Sequence, residues 1–337
     1  MRVVRRLLLG VALVSAGTAC SGAPDAGEPV ARPELAGQFL FVTNKNGDSL
    51  SKIDLGKGEE VSRVDSCSNP HELAVSPDGD HIAVACYGET GVEILRASDL
   101  ARVNRLELGD SARPHGIVWH GSGALLATAE GRKSIFFLEN PLATTTRMQE
   151  VKTGEDGSHM IAASDDLAHA WTANMVSGTV TLLDLRNFRA VKSVPAGEQS
   201  EGIALSPDGT SLWVSARGAD KATEFDPVTL EMRREVTTGD FPLRIRIHPD
   251  GQVAVTSNMM DGALSVIDTS SGKVTRTIEV SGSARAGQVT IEFSPDGQRL
   301  YVAETGWDTV AEVDFASGSV VRRLKAGPGG DGLAVTD

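Results

Sequence analysis

Aromatic residues make up only 4% of this 337-residue chain. Its apolar surface must come mainly from Val, Ile and Leu. Together with abundant Thr and 36 glycines, that mix suits short strands joined by many turns. Positive charge is also in deficit, with 32 Lys and Arg against 45 Asp and Glu, a net −13. Such a balance argues against nucleic acid or anionic lipid as partner, because both are held by cationic surfaces. The common catalytic signatures are missing too. No nucleophile elbow, phosphate-binding loop, His-Glu-x-x-His or Cys-x-x-Cys occurs, so a serine hydrolase or nucleotide enzyme has no support here.

What is present begins with an export signal over residues 1–20. Arg2, Arg5 and Arg6 form a positive segment, and Leu7–Ala16 an apolar one far too short to span a bilayer as a mature helix. Gly17, Thr18 and Ala19 then lead into Cys20, a pattern that resembles a bacterial lipoprotein signal, in which the cysteine is acylated and becomes the new N-terminus. Gly17 departs from that pattern, where Leu is usual, so plain secretion stays open beside lipidation at Cys20. The neighbours of Arg5-Arg6 do not support twin-arginine export. Ser21 suits outer-membrane sorting in a Gram-negative host. The expected location is therefore the periplasm or outer membrane, with the membrane touched only through an N-terminal lipid. Residues 21–37, rich in Pro, Gly and Ala, read as a flexible tether. Two further cysteines, Cys67 and Cys86, would sit in an oxidising compartment, where a disulfide between them and two buried thiols are both open.

Residues 38–337 carry a repeat. Ser76-Pro-Asp-Gly79 recurs as His120-Gly-Ser-Gly123, Ser164-Asp-Asp-Leu167, Ser206-Pro-Asp-Gly209, His248-Pro-Asp-Gly251 and Ser294-Pro-Asp-Gly297. Proline presets φ and glycine supplies a positive φ, so each marks a tight turn between strands. With strands such as Leu212–Ala216, Ala263–Asp268 and Val274–Val280 around them, four strands fit each period of about 43 residues, the size of a propeller blade. The expectation is an all-β, seven-bladed β-propeller with four-stranded blades. Phe39–Thr43 opens without an innermost strand, and 332–336 is an innermost strand with nothing after it. The C-terminal strand should therefore pair into blade 1 and close the ring.

The residues Phe41-Val-Thr-Asn44, Trp171-Thr-Ala-Asn174 and Tyr301-Val-Ala-Glu304 carry a resemblance. With endings such as Val266-Ile-Asp-Thr-Ser-Ser-Gly-Lys273, they make the chain similar to the YVTN-type β-propeller repeat family, over nearly all of residues 38–337. That resemblance implies the fold. It leaves function open, because similar propellers include surface-layer-type proteins, binding proteins and lactonase-like enzymes. Trp307-Asp308 occurs once, in a loop, and is no WD-repeat signature.

The repeat also aligns a set of polar residues. Six positions before the second residue of each turn stand His71, His115, His159, Glu201, Leu243 and Val289, with Asp331 aligned from the closing strand. All precede an innermost strand and belong at the channel mouth on the top face. Asp331, His71, His115, His159 and Glu201 form one arc that suits a divalent transition metal such as Zn, Cu, Fe or Ni. A polar mouth without metal, its histidines inherited by duplication, is the plainer alternative. His81, His120, His169 and His248 fall near the bottom turns and read as surface residues. The loops after the second strands add Glu89, Glu130, Asn174, Arg217, Asn258 and Trp307, and Arg217 with Arg244 suits a carboxylate or phosphate.

Three functions follow. The leading one is a non-enzymatic, exported, monomeric propeller that presents its top face to a protein or small-molecule ligand. The second is a metal-dependent lyase or lactonase-like hydrolase, with the histidines on the ion, Glu201 or Asp331 handling the proton, and Arg217 or Arg244 orienting an anionic substrate. The third, electron transfer through copper, needs a soft ligand and rests on Cys67 alone.

Overall fold

The computed structural model describes residues 31–336. The leader, Cys20 and most of the expected tether lie outside them. The Ser-x-Asp turns form for a local reason. The hydroxyls of Ser76, Ser206 and Ser294 donate to Asp78, Asp208 and Asp296 at 2.5 to 2.6 Å, and those aspartates accept the backbone N–H of Asp80, Thr210 and Gln298. Gly79 takes up φ +77° to finish its turn, and Leu167 does the same at +53° where glycine is missing.

Each turn joins an innermost strand to the next, and the result is seven four-stranded antiparallel sheets. The innermost strands, in chain order, are Pro70–Val75, Pro114–Trp119, Ser158–Ala163, Ser200–Leu205, Pro242–Ile247 and Gln288–Phe293 for blades 2 to 7. Blade 1 takes Gly330–Val335, which pairs antiparallel with Phe39–Asn44 and closes the ring. The seven apolar clusters lie one at each blade junction. Leu40, Val42, Val289, Tyr301 and Leu333 fill the closing junction between blades 7 and 1. Leu50, Phe41, Leu73 and Ile82 fill the next.

One irregularity recurs in all seven blades. The pairing between innermost and second strands shifts register around residues 71–72, 115–116, 159, 201–202, 243–244, 289–290 and 331–332. A bulge leaves its residues outside the ladder and re-aims their side chains. Four bulges are clipped to a neighbour by a hydroxyl on the second strand. Ser257 accepts from the N–H of Arg244 and donates to the carbonyl of Val289, one blade on. Ser215 links Gly202 to Leu243, Thr128 links Gly116 to His159, and Thr43 links Gly332 to His71 in the same way. At the other three blades the equivalent residue is Ala85, Ala173 or Ala303, so His115, Glu201 and Asp331 receive no such clip. The glycines beside the clips serve close approach: a Cβ on Gly116 would stand 2.6 Å from the His159 carbonyl.

The end of the expected tether is docked. Arg32 donates its N–H to the Gly56 carbonyl and lies 3.6 Å from Glu312, and Leu35 packs against the cluster between blades 7 and 1. The packed residues thus reach back at least to Arg32, six residues before position 38. No helix among the described residues is long and apolar enough to cross a membrane.

Candidate functional site

The bulges bring the five aligned polar residues together at one end of the channel. His71 and His115 meet edge to face, with centroids 4.7 Å apart, and His115 stacks on His159 at 3.6 Å. Asp331 stands 3.9 Å from His71 Nε2 and 3.4 Å from Lys45 Nζ. Glu201 Oε1 stands 3.5 Å from His159 Nε2, which is close enough for an ion pair but beyond a well-formed hydrogen bond. His159 Nε2 is therefore buried without a hydrogen-bond partner, as is His115 Nδ1.

One residue deeper, a charged bridge crosses the channel. Arg244, only 2% exposed, donates to Glu72 from Nε and Nη2 at 3.1 and 2.7 Å, and to Glu201 from Nη1 at 2.5 Å. Thr290 Oγ1 lies 3.4 Å from the same Glu72 oxygen. Blades 2, 5 and 6 thus meet at one guanidinium, and blade 7 joins them through Glu72, which makes a floor beneath the imidazoles. Arg244 does not stand on the outer flank to meet an anion, because two buried carboxylates already occupy its fork. Arg217, a quarter exposed, reaches the same Glu201 with Nη1 at 2.5 Å and Gln199 with Nε at 2.9 Å.

Three further residues complete the mouth. Tyr87 stacks on His71 at 4.5 Å and donates to Glu130 Oε2 at 2.9 Å, while Arg113 lies over its ring. The other oxygen of Glu130 accepts from His159 Nδ1. Glu130 was legible as a top-face loop residue, but Tyr87 and Glu72 were not singled out. The sole sequence sign of Glu72 is its place directly after an aligned histidine.

Surroundings divide the three imidazoles. Burial holds His115 well below the usual histidine range, and the neighbouring His159 and His71 add to the effect. Burial lowers His71 as well, with Asp331 opposing. Burial alone would lower His159, but its bonds to Glu130 and its approach to Glu201 prevail and raise it. Burial works against ionisation of Glu201, yet His159, then Arg244 and Arg217, bring it down to about 2.

Cys67 and Cys86 are bonded to each other, with Cα atoms 5.6 Å apart. Cys67 thus has no thiolate, and the copper reading loses its soft ligand. Among the described residues, one set of three His, Cys, Asp or Glu ligand atoms is gathered within 4.8 Å, namely Cys67, Cys86 and Glu93, and its sulfurs are already joined. The mouth histidines are brought side by side, but as a stack whose nitrogens do not converge as such a set. The four remaining histidines are half-buried rather than on the surface, and they belong to the bottom turns. His120 and His248 replace the turn serine, each taking a backbone N–H on Nδ1, from Ser122 and Asp250. His81 and His169 donate their backbone N–H to Ser76 and Ser164.

Residues 37–289 match the family model described as "Lactonase, 7-bladed beta-propeller". Among curated relatives, antigen Lp49 of Leptospira interrogans is 21% identical over 244 residues, covering 68% of this chain and 44% of its own length. The chain thus spans less than half of that relative. Protein NirF of Pseudomonas aeruginosa is 22% identical over 306 residues, covering 87% of this chain and 68% of its own length. Among solved structures, dihydro-heme d1 dehydrogenase NirN in complex with DHE superposes with a TM-score of 0.63 at 19% identity, over 91% of this chain and 67% of that one. Likeness at that identity shows the fold alone.

Proposed function

The chain belongs to the seven-bladed β-propeller lactonase family, and from that premise we propose that it is an exported, lipid-anchored, monomeric binding module that takes its ligand at the top-face channel mouth. The observation that carries this reading is His115. The residue is 2% exposed, and its Nδ1 has no hydrogen-bond partner among the described residues. A buried polar atom left unpaired costs roughly 1–3 kcal/mol, a cost that a bound partner would remove. The Arg244 bridge gives the mouth a fixed floor, and the rigid ring holds the lining residues in place, as recognition requires. Export and attachment rest on the residues leading into Cys20. Arg217 remains the rim cation for an acidic group on a ligand, whereas Arg244 serves the floor.

Ligand screening by thermal shift tests the reading, with His71→Ala and Arg217→Ala variants beside the wild type. The molecule bound by NirN makes a natural first organic candidate, joined by lactones, small carboxylates and sugar phosphates. A hit that stabilises the wild type and is lost in either variant supports the mouth as the site. Ligands that stabilise all three proteins equally place binding elsewhere and defeat the proposal.

The family's description favours a second reading at the same mouth, a lactonase-like hydrolase, with a metal-dependent lyase as its variant. There Glu201 or Asp331 would handle the proton, and Arg217 alone would orient an anionic substrate. Turnover of a lactone that stops with a chelator would establish it over the binding module.

A further inference from the structure

Separately from the mouth, we propose a second ligand site at the bottom end of the ring, between blades 1 and 2. It takes a short zwitterionic peptide with apolar side chains and holds the peptide carboxylate on Lys52. A cavity of about 560 Å³ opens there beside the Ser76-Pro-Asp-Gly79 turn, within the size range of sites for small organic molecules. Phe39, Val75 and Val335 give it apolar wall, and Lys52 is the one cation among its described lining residues.

Lys52 is unusual for a buried charge. The residue is 7% exposed, yet no carboxylate among the described residues forms an ion pair with it. Asp54 and Asp99 act on it from further off, and they are engaged by Lys57 at 3.3 Å and Arg96 at 2.6 Å. Nζ donates to the carbonyls of Ala97 and Ser98 at 2.9 and 3.1 Å and lies 4.0 Å from the centroid of the Phe39 ring. Those dipoles and that ring position the ammonium but bring no full negative charge to it. An ammonium has three N–H bonds, so one is left over. Buried charges are ordinarily matched by an opposite one, and a ligand carboxylate on Nζ supplies the match through a charge-assisted hydrogen bond.

The exposed part of the lining carries the opposite sign. Asp78 and Asp80 stand there, and neither forms an ion pair among the described residues. A simple monoanion brings nothing to them. A molecule with a carboxylate inside, an amino group outside and an apolar body between fits both ends. An apolar dipeptide is a small molecule of that kind, its two charges separated by a full peptide unit.

Isothermal titration of the full chain with leucyl-leucine, its N-acetyl derivative and its C-terminal amide tests the site. The expected result is one equivalent of leucyl-leucine bound with a Kd of about 100 μM or below. The amide should bind about 10-fold more weakly or worse, because Lys52 then meets no carboxylate. The N-acetyl form should bind about 2–5-fold more weakly, because the acids it fails to meet are exposed. Lys52→Met keeps the apolar stem and should lose the preference for the acid over the amide. Ser98→Trp, at an exposed position on the cavity wall, should block binding without touching the core, and it carries the test if Lys52→Met does not fold. Circular dichroism establishes that each variant is folded. No binding of leucyl-leucine by the wild type, equal affinity for acid and amide, or undiminished binding in folded Ser98→Trp overturns the proposal. The mouth lies at the opposite end of the ring, so none of these outcomes bears on the ligand proposed there.

Discussion

His115 lies face to face with His159, the rings 3.6 Å apart and 29° from parallel, yet the two are held in opposite ways. His159 is gripped by Glu130 on one nitrogen and approached by Glu201 on the other. His115 packs against the rings of His71, Tyr87 and His159, and its Nδ1 has no hydrogen-bond partner among the described residues. A pair of that kind couples an imidazole anchored by a carboxylate to one held in place by ring packing.

Arg244 is the most heavily committed cation beneath that pair. Replacing it with Met leaves Glu72 and Glu201 buried without their shared partner, at a cost of about 3–5 kcal/mol. Urea denaturation should show that loss. Adding Glu72→Gln to the same chain should recover part of it, because one stranded charge is removed. Equal stability of wild type and Arg244→Met would show that the bridge contributes nothing.

The hydroxyl clips should be measurable one at a time. Ser257→Ala strands the Arg244 N–H and the Val289 carbonyl, both buried, and should lower stability by about 1–3 kcal/mol in the same assay. A change within a few tenths would mean that the strands relax to satisfy each other without the serine.

The Cys67–Cys86 bond spans 19 residues of sequence. Removing it by Cys67→Ser with Cys86→Ser should cost about 3 kcal/mol. The loss should fall first on blade 2. Hydrogen exchange should rise in Pro70–Val75 and His81–Cys86, the strands on which His71 and Tyr87 depend, before it rises elsewhere.

Glu150 gives an acid-side prediction. The hydrogen bond from Arg132 holds it down, aided by Lys152 and Ser134 against partial burial, to about 2. A carboxylate lowered in the folded state stabilises fully above its unfolded value of about 4.3 and loses that contribution as the pH falls through the folded one. Glu150→Gln should therefore be less stable than the wild type at neutral pH, by no more than ~1 kcal/mol because the part-buried pair stands at the surface, where solvent screens it. The two proteins should converge below about pH 2. A constant gap across that range would assign the effect to packing.

The ring could be read from residues because every turn states its own chemistry, from Ser76-Pro-Asp-Gly79 to Ser294-Pro-Asp-Gly297. The unpaired strands at both ends announced the closure. The arc from Asp331 to Glu201 was legible for the same reason: equal spacing in a closed array becomes adjacency in space. The floor was not legible. Arg244 and Glu72 are 172 residues apart, on blades that are not neighbours, and a repeat says nothing about which side chains meet across its axis. The stack escaped as well, since ring orientation depends on the bulges, and a bulge leaves no mark in the spacing of turns. Arg244 consequently reads as an available cation until its two carboxylates are seen.

The closing strand has a bearing on how the molecule comes into being. Phe39 and Thr336 share hydrogen bonds across 297 residues, so blade 1 stays three-stranded until Gly330–Val335 arrives. Six blades have their own strands close at hand and wait for nothing. Whether the chain emerges from a ribosome or through a translocation pore, it carries an open crescent with one raw edge along Phe39–Asn44 for its whole passage. The time from first blade to last is thus the interval in which a chaperone is most needed.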